Sequence, residues 1–159
     1  MSAPTLRAAT RADVPVILRF VRELAEYERE PDAVVATEAM LEHALFDERC
    51  VEAIIAELDG APAGFAMFFH NFSTWEGRKG LYLEDLYVSP AARGKGVGTA
   101  LLKRLAQIAL ERDCARFEWW VLDWNQPAID VYRKIGAVGM EEWTVQRLEG
   151  AALRALAES

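Results

Sequence analysis

The sequence predicts an α/β layered domain, in which helices cover a mixed β-sheet. The chain has 159 residues and is 52% hydrophobic, which suffices for one substantial core. Two strand candidates in its first half follow each other as a hairpin, whereas the later strand candidates are separated by amphipathic helices. That order is typical of a mixed sheet packed against helices. We therefore expect a single domain over residues 1–159.

The first half carries a strand, two helices and the hairpin. "TLRAAT" (5–10) predicts a short strand, and residues 11–30 predict a helix that begins near Asp13 and ends before Pro31. The apolar residues of this helix recur at helical spacing: Val14, Ile17, Val21 and Leu24. A second helix is expected from Thr37 to about Phe46. "CVEAIIAEL" and "GFAMFFHNF", joined by the turn signal "DGAP", predict the hairpin.

The second half alternates strands and helices. "LYLEDLYV" (81–88) predicts a strand, and from Gly96 a helix follows whose apolar stripe is Val97, Leu101, Leu105 and Ile108. "ARFEWWVL" (115–122) predicts the next strand. The helix after it carries Ala128, Val131, Tyr132 and Ile135 on one face and ends at Gly136. "EEWTVQRLE" (141–149) predicts the last strand, and the parallel part of the sheet is expected near the glycine turn before Val97.

Charge and composition limit the partners. The net charge of -7 argues against nonspecific nucleic-acid binding, which needs clustered Lys and Arg. An acidic surface suits a cationic small substrate, although solubility alone also explains it. The first residues lack the apolar core of a signal peptide, and no apolar run reaches the roughly 20 residues that span a bilayer. With only Cys50 and Cys114, far apart in apolar segments, the sequence predicts a cytoplasmic protein without membrane partners.

The segment "SPAARGKGVGTALL" (89–102) predicts an anion site, because the first N–H groups of a helix lack partners and carry the positive end of its dipole. A triphosphate loop requires Ser or Thr directly after Gly-Lys, but Gly96 follows Lys95. A dinucleotide fingerprint requires glycine at 94, 96 and 99, and Thr99 departs from it. A turn that binds nothing is the alternative, although its glycines carry an entropic cost.

Two motifs resemble one enzyme family. Arg93, Gly96 and Gly98 have the spacing of the acetyl-CoA pyrophosphate loop of the GCN5-related N-acetyltransferases, and "WNQPAIDVYRKIGA" (124–137) resembles a second segment of that family. The resemblance implies a mixed, mostly antiparallel twisted sheet of about six to seven strands flanked by helices. It also implies that Asn125 binds the pantetheine arm or an ordered water, and that the Tyr132 hydroxyl lies near the coenzyme sulfur. A core role for Tyr132 is the alternative.

The resemblance assigns the coenzyme to β-strand backbone and to the glycine turn. The backbone before the turn would hold the acetyl carbonyl and pantetheine, and the turn with its two basic side chains would hold the pyrophosphate. The predicted acetyl-CoA site comprises Leu86, Tyr87, Val88, Arg93, Gly94, Lys95, Gly96, Val97, Gly98, Thr99, Asn125 and Tyr132.

Most of the chain resembles the diamine N-acetyltransferases in particular, and "ELAEYE" and "LYLEDLYV" are the most specific segments. This resemblance implies that Tyr27, Glu28 and Glu84 contact the substrate. A further acidic substrate residue corresponds to Glu142 or Glu141, in a region where this chain is shorter than the family pattern, which bears on polyamine selectivity. The resemblance also implies a homodimer.

Glu84 raises a physical question. Along a regular strand it shares a face with Leu86 and Val88, unless a bulge turns it outward. Because a buried unpaired carboxylate is costly, it needs an ammonium, a water chain, an arginine or an N–H group. Asp85 points to the opposite face, where a structural pairing is the simple expectation.

The residues together predict an acetyl-CoA-dependent N-acetyltransferase. A primary amine of a small cationic substrate, a polyamine, a diamine or a thialysine-like compound, would attack the thioester directly in a ternary complex. Glu84 would bind the substrate and relay its proton, and Tyr132 would act as general acid. No metal is expected, because His43 and His70 lack metal-site spacing. The alternatives are another amine, such as an amino acid, an aminoglycoside or a protein amine, and a non-catalytic acetyl-CoA-binding regulatory module.

Overall fold

A computed structural model describes residues 2–159, which cluster into two compact units divided after Trp120. The first unit contains all the strands: β1 Thr5–Ala8, β2 Glu52–Leu58, β3 Ala61–Ser73, β4 Arg78–Val88 and β5 Phe117–Trp119. Its helices are α1 Val14–Tyr27, α2 Glu38–Glu42 and α3 Val97–Glu111. The second unit contains α4 Gln126–Lys134 and α5 Gly150–Ala157. The prediction of one domain over 1–159 stays a prediction.

The strands form a single sheet in the order β1-β2-β3-β4-β5. β1 to β4 are antiparallel neighbours, whereas β5 runs parallel to β4. At the tip of the β2–β3 hairpin, Asp59 and Gly60 have φ values of 51° and 80°, because such turns need left-handed residues to match the strand twist. The predicted α/β class and the hairpin are confirmed, and the parallel pair involves β4, the strand that leads to the glycine turn, although its ladder ends at Leu83.

Helices cover the sheet as the apolar patterns predict. α1 packs on one face, where Phe20 stacks on Phe65 at 5.8 Å between ring centroids and lies 5.7 Å from the ring of Tyr87. α3 buries its predicted stripe, which consists of Val97, Leu101, Leu105 and Ile108. The end of α1 and the start of α3 both lie near β4. The Tyr27 ring of α1 and the Tyr87 ring of β4 contact the same Arg93 side chain. Gly98 of α3 faces the side chains of Leu86 and Val88.

Two strand predictions need correction. The sheet has five strands and not about six to seven, because residues 141–149 form irregular chain, and β5 is only three residues long. A strand needs a neighbour for its backbone hydrogen bonds, so β-propensity alone does not make one. No sequence pattern indicated α5. No helix within residues 2–159 has both the length and the apolar character that a membrane crossing requires.

Candidate active site

A β-bulge interrupts β4 at Glu84. Met67 of β3 pairs with Asp85 and the next residue, Phe68, pairs with Leu83, so Glu84 is the extra residue in β4. Bulges re-aim side chains, and Glu84 is exposed. The bulge therefore turns the Glu84 side chain outward, and its carboxylate is not buried between Leu86 and Val88.

Asp85 is the more buried of the two consecutive acids. It pairs with Met67 in the register and is half-buried on the α1 side of the sheet, two residues before Tyr87. Burial, together with the negative charges of Glu84 and Glu28, raises the pKa of Asp85 to about 6. No cation pairs with Asp85 among residues 2–159. The expected structural pairing of Asp85 is therefore wrong, and sequence reasoning missed this residue as a site candidate.

Glu28 completes an acidic cluster, defined here as Glu28, Glu84 and Asp85. Glu28 follows the last residue of α1, and burial raises the pKa of its carboxyl above the ordinary value. Its charge acts on Asp85, which shows that the end of α1 lies close to the bulge of β4. Carboxylates that are held together without a cation favour the binding of one, because a nearby positive charge offsets both burial and mutual repulsion.

The glycine turn has the backbone that the sequence predicts. Gly94 and Gly96 have φ values of 77° and 81°, and Gly96 immediately precedes α3. A Cβ atom at either position would meet nothing within 4 Å, so the conformation and not crowding requires glycine there. The first N–H groups of α3 lack helical partners beside this open surface. The turn therefore fits the pyrophosphate of acetyl-CoA, which needs close backbone approach and positive potential.

Arg93 lies between the turn and α1. Its Cζ atom is 5.7 Å from the ring centroid of Tyr27 and 5.9 Å from that of Tyr87, and its Nε donates to the backbone carbonyl of Val88 at 3.3 Å. The structure thus brings together a residue predicted for the substrate, Tyr27, and residues predicted for the coenzyme. Sequence spacing carried no signal for this contact.

The last residues of β4 extend beyond the end of its parallel partner β5. The β4–β5 ladder ends at Leu83, while β4 continues to Val88 and stays paired with β3 on its other side. Gly64 of β3 permits this pairing, because a Cβ atom there would lie 2.5 Å from the carbonyl oxygen of Tyr87. Residues 86–88, predicted to hold the acetyl and pantetheine groups, are therefore placed between the acidic cluster and the glycine turn.

The remaining predicted residues belong to the second unit. The Asn125 Oδ1 accepts from the Ala128 N–H at 3.4 Å and caps α4, so this asparagine has a local structural role. Tyr132 lies on α4 and is half-buried. Glu141 and Glu142 are exposed in the irregular chain before α5. The coenzyme, catalytic and substrate roles of these residues stay predictions.

The sequence does contain a signal for the bulge. Leu81 and Leu83 are apolar at odd positions, whereas Leu86 and Val88 are apolar at even positions. Gly98 of α3 faces Leu86 and Val88, since a Cβ atom added to it would lie 4.0 Å from the first side chain and 3.7 Å from the second. A change of phase between Leu83 and Leu86 on one strand requires an extra residue between them, and that residue is Glu84.

Comparison with known proteins gives a family match over most of the chain. The acetyltransferase (GNAT) family model matches residues 17–137. A thialysine N-epsilon-acetyltransferase from Sus scrofa is 40% identical over 99% of this chain and 99% of its own. An L-ornithine N5-acetyltransferase from Arabidopsis thaliana is 30% identical over 95% of this chain and 86% of its own.

The solved structures give the same fold. An integron cassette protein from V. cholerae superposes with a TM-score of 0.82, is 30% identical and covers 100% of both chains.

Proposed function

The chain belongs to the acetyltransferase (GNAT) family, and we propose that it transfers the acetyl group of acetyl-CoA to a primary amine of a small cationic substrate. The observation that carries this proposal is the acidic cluster, whose carboxylates have no ion-pair partner among the described residues, together with the glycine turn that follows the same strand β4. A cation site next to a pyrophosphate site is what this transfer requires. The net charge of -7 favours the approach of a cation.

The substrate that we propose carries at least two ammonium groups, as a thialysine-like diamino acid or a polyamine does. Three carboxylates in one cluster exceed what a single ammonium needs for charge balance. The relatives named for thialysine and L-ornithine act on amino acids with a second amine, which favours a diamino acid over a polyamine. From the family resemblance, we propose that a further acidic residue of the protein, Glu142 or Glu141, contacts the substrate. The pair Glu142→Gln and Glu141→Gln separates these two by the amine KM.

Proton removal is the first chemical requirement of the reaction. An amine with a pKa of about 10.4 is neutral in about one molecule in 2500 at pH 7, which accounts for about 4.6 kcal/mol of the barrier. A carboxylate in contact stabilises the ammonium and opposes its deprotonation. We therefore assign Glu28 and Asp85 to binding and orientation. Glu84, which is exposed at the bulge, orients the ammonium and passes its proton to water.

The transfer itself proceeds in a ternary complex. The neutral nitrogen attacks the thioester carbon, the carbon–sulfur bond breaks, and an amide and the thiol of CoA are formed. Backbone groups of residues 86–88 hold the acetyl carbonyl and pantetheine, and N–H groups of residues 94–99 hold the pyrophosphate. Tyr132 donates to the leaving sulfur. Because a thiol pKa of about 8.5 lies below that of tyrosine at about 10, this donation is a hydrogen bond more than a full proton transfer.

The experiment that tests this function measures thiol release from acetyl-CoA with a panel of amines. The panel contains thialysine, lysine, ornithine, putrescine, spermidine, spermine and a basic peptide. We expect release with the dicationic small amines and the highest kcat/KM for a diamino acid. Preference for the polyamines would support the proposed acetyl transfer and show that the substrate is a polyamine and not a diamino acid. Coenzyme binding without release on any amine would instead support a regulatory acetyl-CoA-binding module.

The acid role of Tyr132 has its own test. Tyr132→Phe should lower kcat about 10- to 1000-fold with little change in the Kd for acetyl-CoA, because only the hydroxyl is removed. Unchanged turnover would remove Tyr132 from the mechanism.

We also propose that the enzyme is a cytoplasmic homodimer, on the strength of the family resemblance. Sedimentation equilibrium measures the mass of the particle, and the chain mass of 17.8 kDa gives the monomer reference. A particle of twice that mass is expected.

A further inference from the structure

Arg93 is held by three groups that do not belong to the glycine turn itself. Its guanidinium faces the ring of Tyr27 at 5.7 Å and that of Tyr87 at 5.9 Å, and its Nε donates to the Val88 carbonyl oxygen at 3.3 Å. A guanidinium over an aromatic face is attracted by the ring quadrupole. These contacts direct the side chain toward the end of α1.

The face of α1 near the Arg93 guanidinium carries a negatively charged residue, Glu23. Phe20, Glu23 and Tyr27 are spaced for one helix face, and Phe20 contacts the Tyr87 ring at 5.7 Å. The Glu23 Oε2 atom is buried and has no hydrogen-bond partner in the described part of the chain, although Arg19 Nε of the same helix lies 3.9 Å from it. Its charge acts on Tyr87, as does that of Arg93 with the opposite sign. A cation between this helix face and β4 is therefore stabilised from two sides.

Lys95, the other basic residue of the turn, does not point toward the end of α1. It lines a small hollow with Ser2, Leu58 and Asp59, beside the β2–β3 turn. Two basic side chains of the same turn thus point to different neighbours, and only Arg93 reaches a residue of the amine site.

We propose that Arg93 is a positioning residue that couples acetyl-CoA binding to amine binding, by holding Tyr27 and the end of α1 against β4. The proposal rests on the function proposed above. Pyrophosphate bound at the turn stabilises the existing contact of Arg93 with Tyr27, and this contact holds Glu28 at the acidic cluster. Because binding free energies are linked, the amine must then tighten coenzyme binding by the same factor.

The coupling is measured by calorimetric titration of CoA with and without a saturating amine, together with steady-state KM values. In the wild type, we expect the amine to lower the Kd for CoA about fivefold. Arg93→Gln should bring this factor close to one and raise the amine KM about 3- to 10-fold, as loss of a cation–π contact would. Lys95→Gln is the matched control, since it removes one charge from the same turn. It should change the Kd for CoA and keep the coupling factor.

Variants of Tyr27 separate the ring contact from the hydroxyl. Tyr27→Phe keeps the ring and should keep the coupling, whereas Tyr27→Leu should lose it as Arg93→Gln does. The double variant Arg93→Gln/Tyr27→Leu should be no worse in amine KM than the worse single variant. Additive effects, or an Arg93→Gln variant that raises only the Kd for CoA, would overturn the proposal and leave Arg93 as a phosphate ligand.

A failure of the proposed function remains distinguishable from a failure of this inference. The contact between Arg93 and Tyr27 exists without ligands, so the same two substitutions form a double-mutant cycle in thermal unfolding of the free protein. Less than additive losses in Tm are expected whatever the substrate proves to be. Additive losses would mean that the two residues do not act together.

Discussion

Asp13 and Asp85 are both withdrawn from solvent, yet their surroundings are opposite. Asp13 is 6% exposed and accepts from the Arg7 guanidinium at 2.7 and 2.9 Å and from the Thr10 N–H at 2.7 Å. Arg7 lowers the pKa of the Asp13 carboxyl to about 2. Among the described residues, the charges that act on Asp85 are those of Glu84 and Glu28, and burial together with these charges raises its pKa to about 6.

The difference separates a carboxylate that serves the fold from one that serves a ligand. Asp13 begins α1 and ties it to β1 through Arg7, so its partners are supplied by the chain. Asp85 is left with its charge unbalanced at the bulge of β4, which costs stability. Such a cost persists where a bound cation can offset it, as the proposed ammonium does.

The largest loss of stability is expected for Asp13→Asn. Loss of the charge paired with Arg7 should lower the free energy of unfolding by about 2 kcal/mol at pH 7, because Arg7 holds the pKa of the folded carboxyl at about 2. Urea unfolding measures this change. The contribution is present above about pH 4 and is lost as the pH falls toward 2, so the difference between wild type and variant should vanish there. The exposed Asp32→Asn variant is the control, with a change within about 0.5 kcal/mol.

Asp85→Asn should act in the opposite direction. A folded pKa raised to about 6 means that the ionised carboxyl destabilises the protein, and that this penalty appears as the pH rises through 6. The variant should therefore be more stable than the wild type by about 2–3 kcal/mol at pH 8 and equal to it below about pH 4. Destabilisation at pH 8, as in Asp13→Asn, would show that Asp85 has a structural partner.

The pH dependence of the amine KM tests whether Asp85, unlike Asp13, binds a ligand. Protonation of Asp85 below about pH 6 removes a charge that binds the ammonium. The KM should rise about tenfold between pH 7.5 and pH 5, the size of one charge-assisted hydrogen bond. Initial rates over this range measure it, with Asp85→Asn as the reference. A wild-type KM that follows the same pH profile as the variant would remove Asp85 from amine binding.

The smallest effect on amine binding is expected at Glu84, because its side chain is exposed. Glu84→Gln should raise the KM of dicationic substrates about 2- to 5-fold and that of a monocationic amine less. Comparison of lysine with butylamine measures the difference. An equal loss on both amines would argue against recognition of charge by Glu84.

Much of the fold was predictable because its signals are local. The stripe Val97, Leu101, Leu105 and Ile108 defined α3, and the "DGAP" turn defined the hairpin. The strand predicted at 141–149 failed because a strand depends on a neighbour that no local pattern supplies.

The candidate site was predictable in part. The glycine turn and Glu28 follow from motifs, and the change of apolar phase around Glu84 was readable but easily overlooked. The contact of Arg93 with Tyr27 was not readable, because it joins the end of α1 to a turn more than sixty residues later. Asp85 was misjudged because the alternation of the strand placed it on the face opposite Leu86 and Val88, where a structural pairing is the simple expectation, whereas the structure shows no cation paired with it within residues 2–159.

The measurement that tests the central claim most directly is the titration of the Asp85 carboxyl carbon by NMR, assigned with Asp85→Asn. It is made on the protein with CoA alone and again with CoA and a saturating diamino acid. The account predicts a pKa of about 6 without the amine and a clearly lower pKa with it, because the bound ammonium stabilises the carboxylate. A pKa that the amine leaves unchanged would contradict the assignment of Asp85 to the amine site.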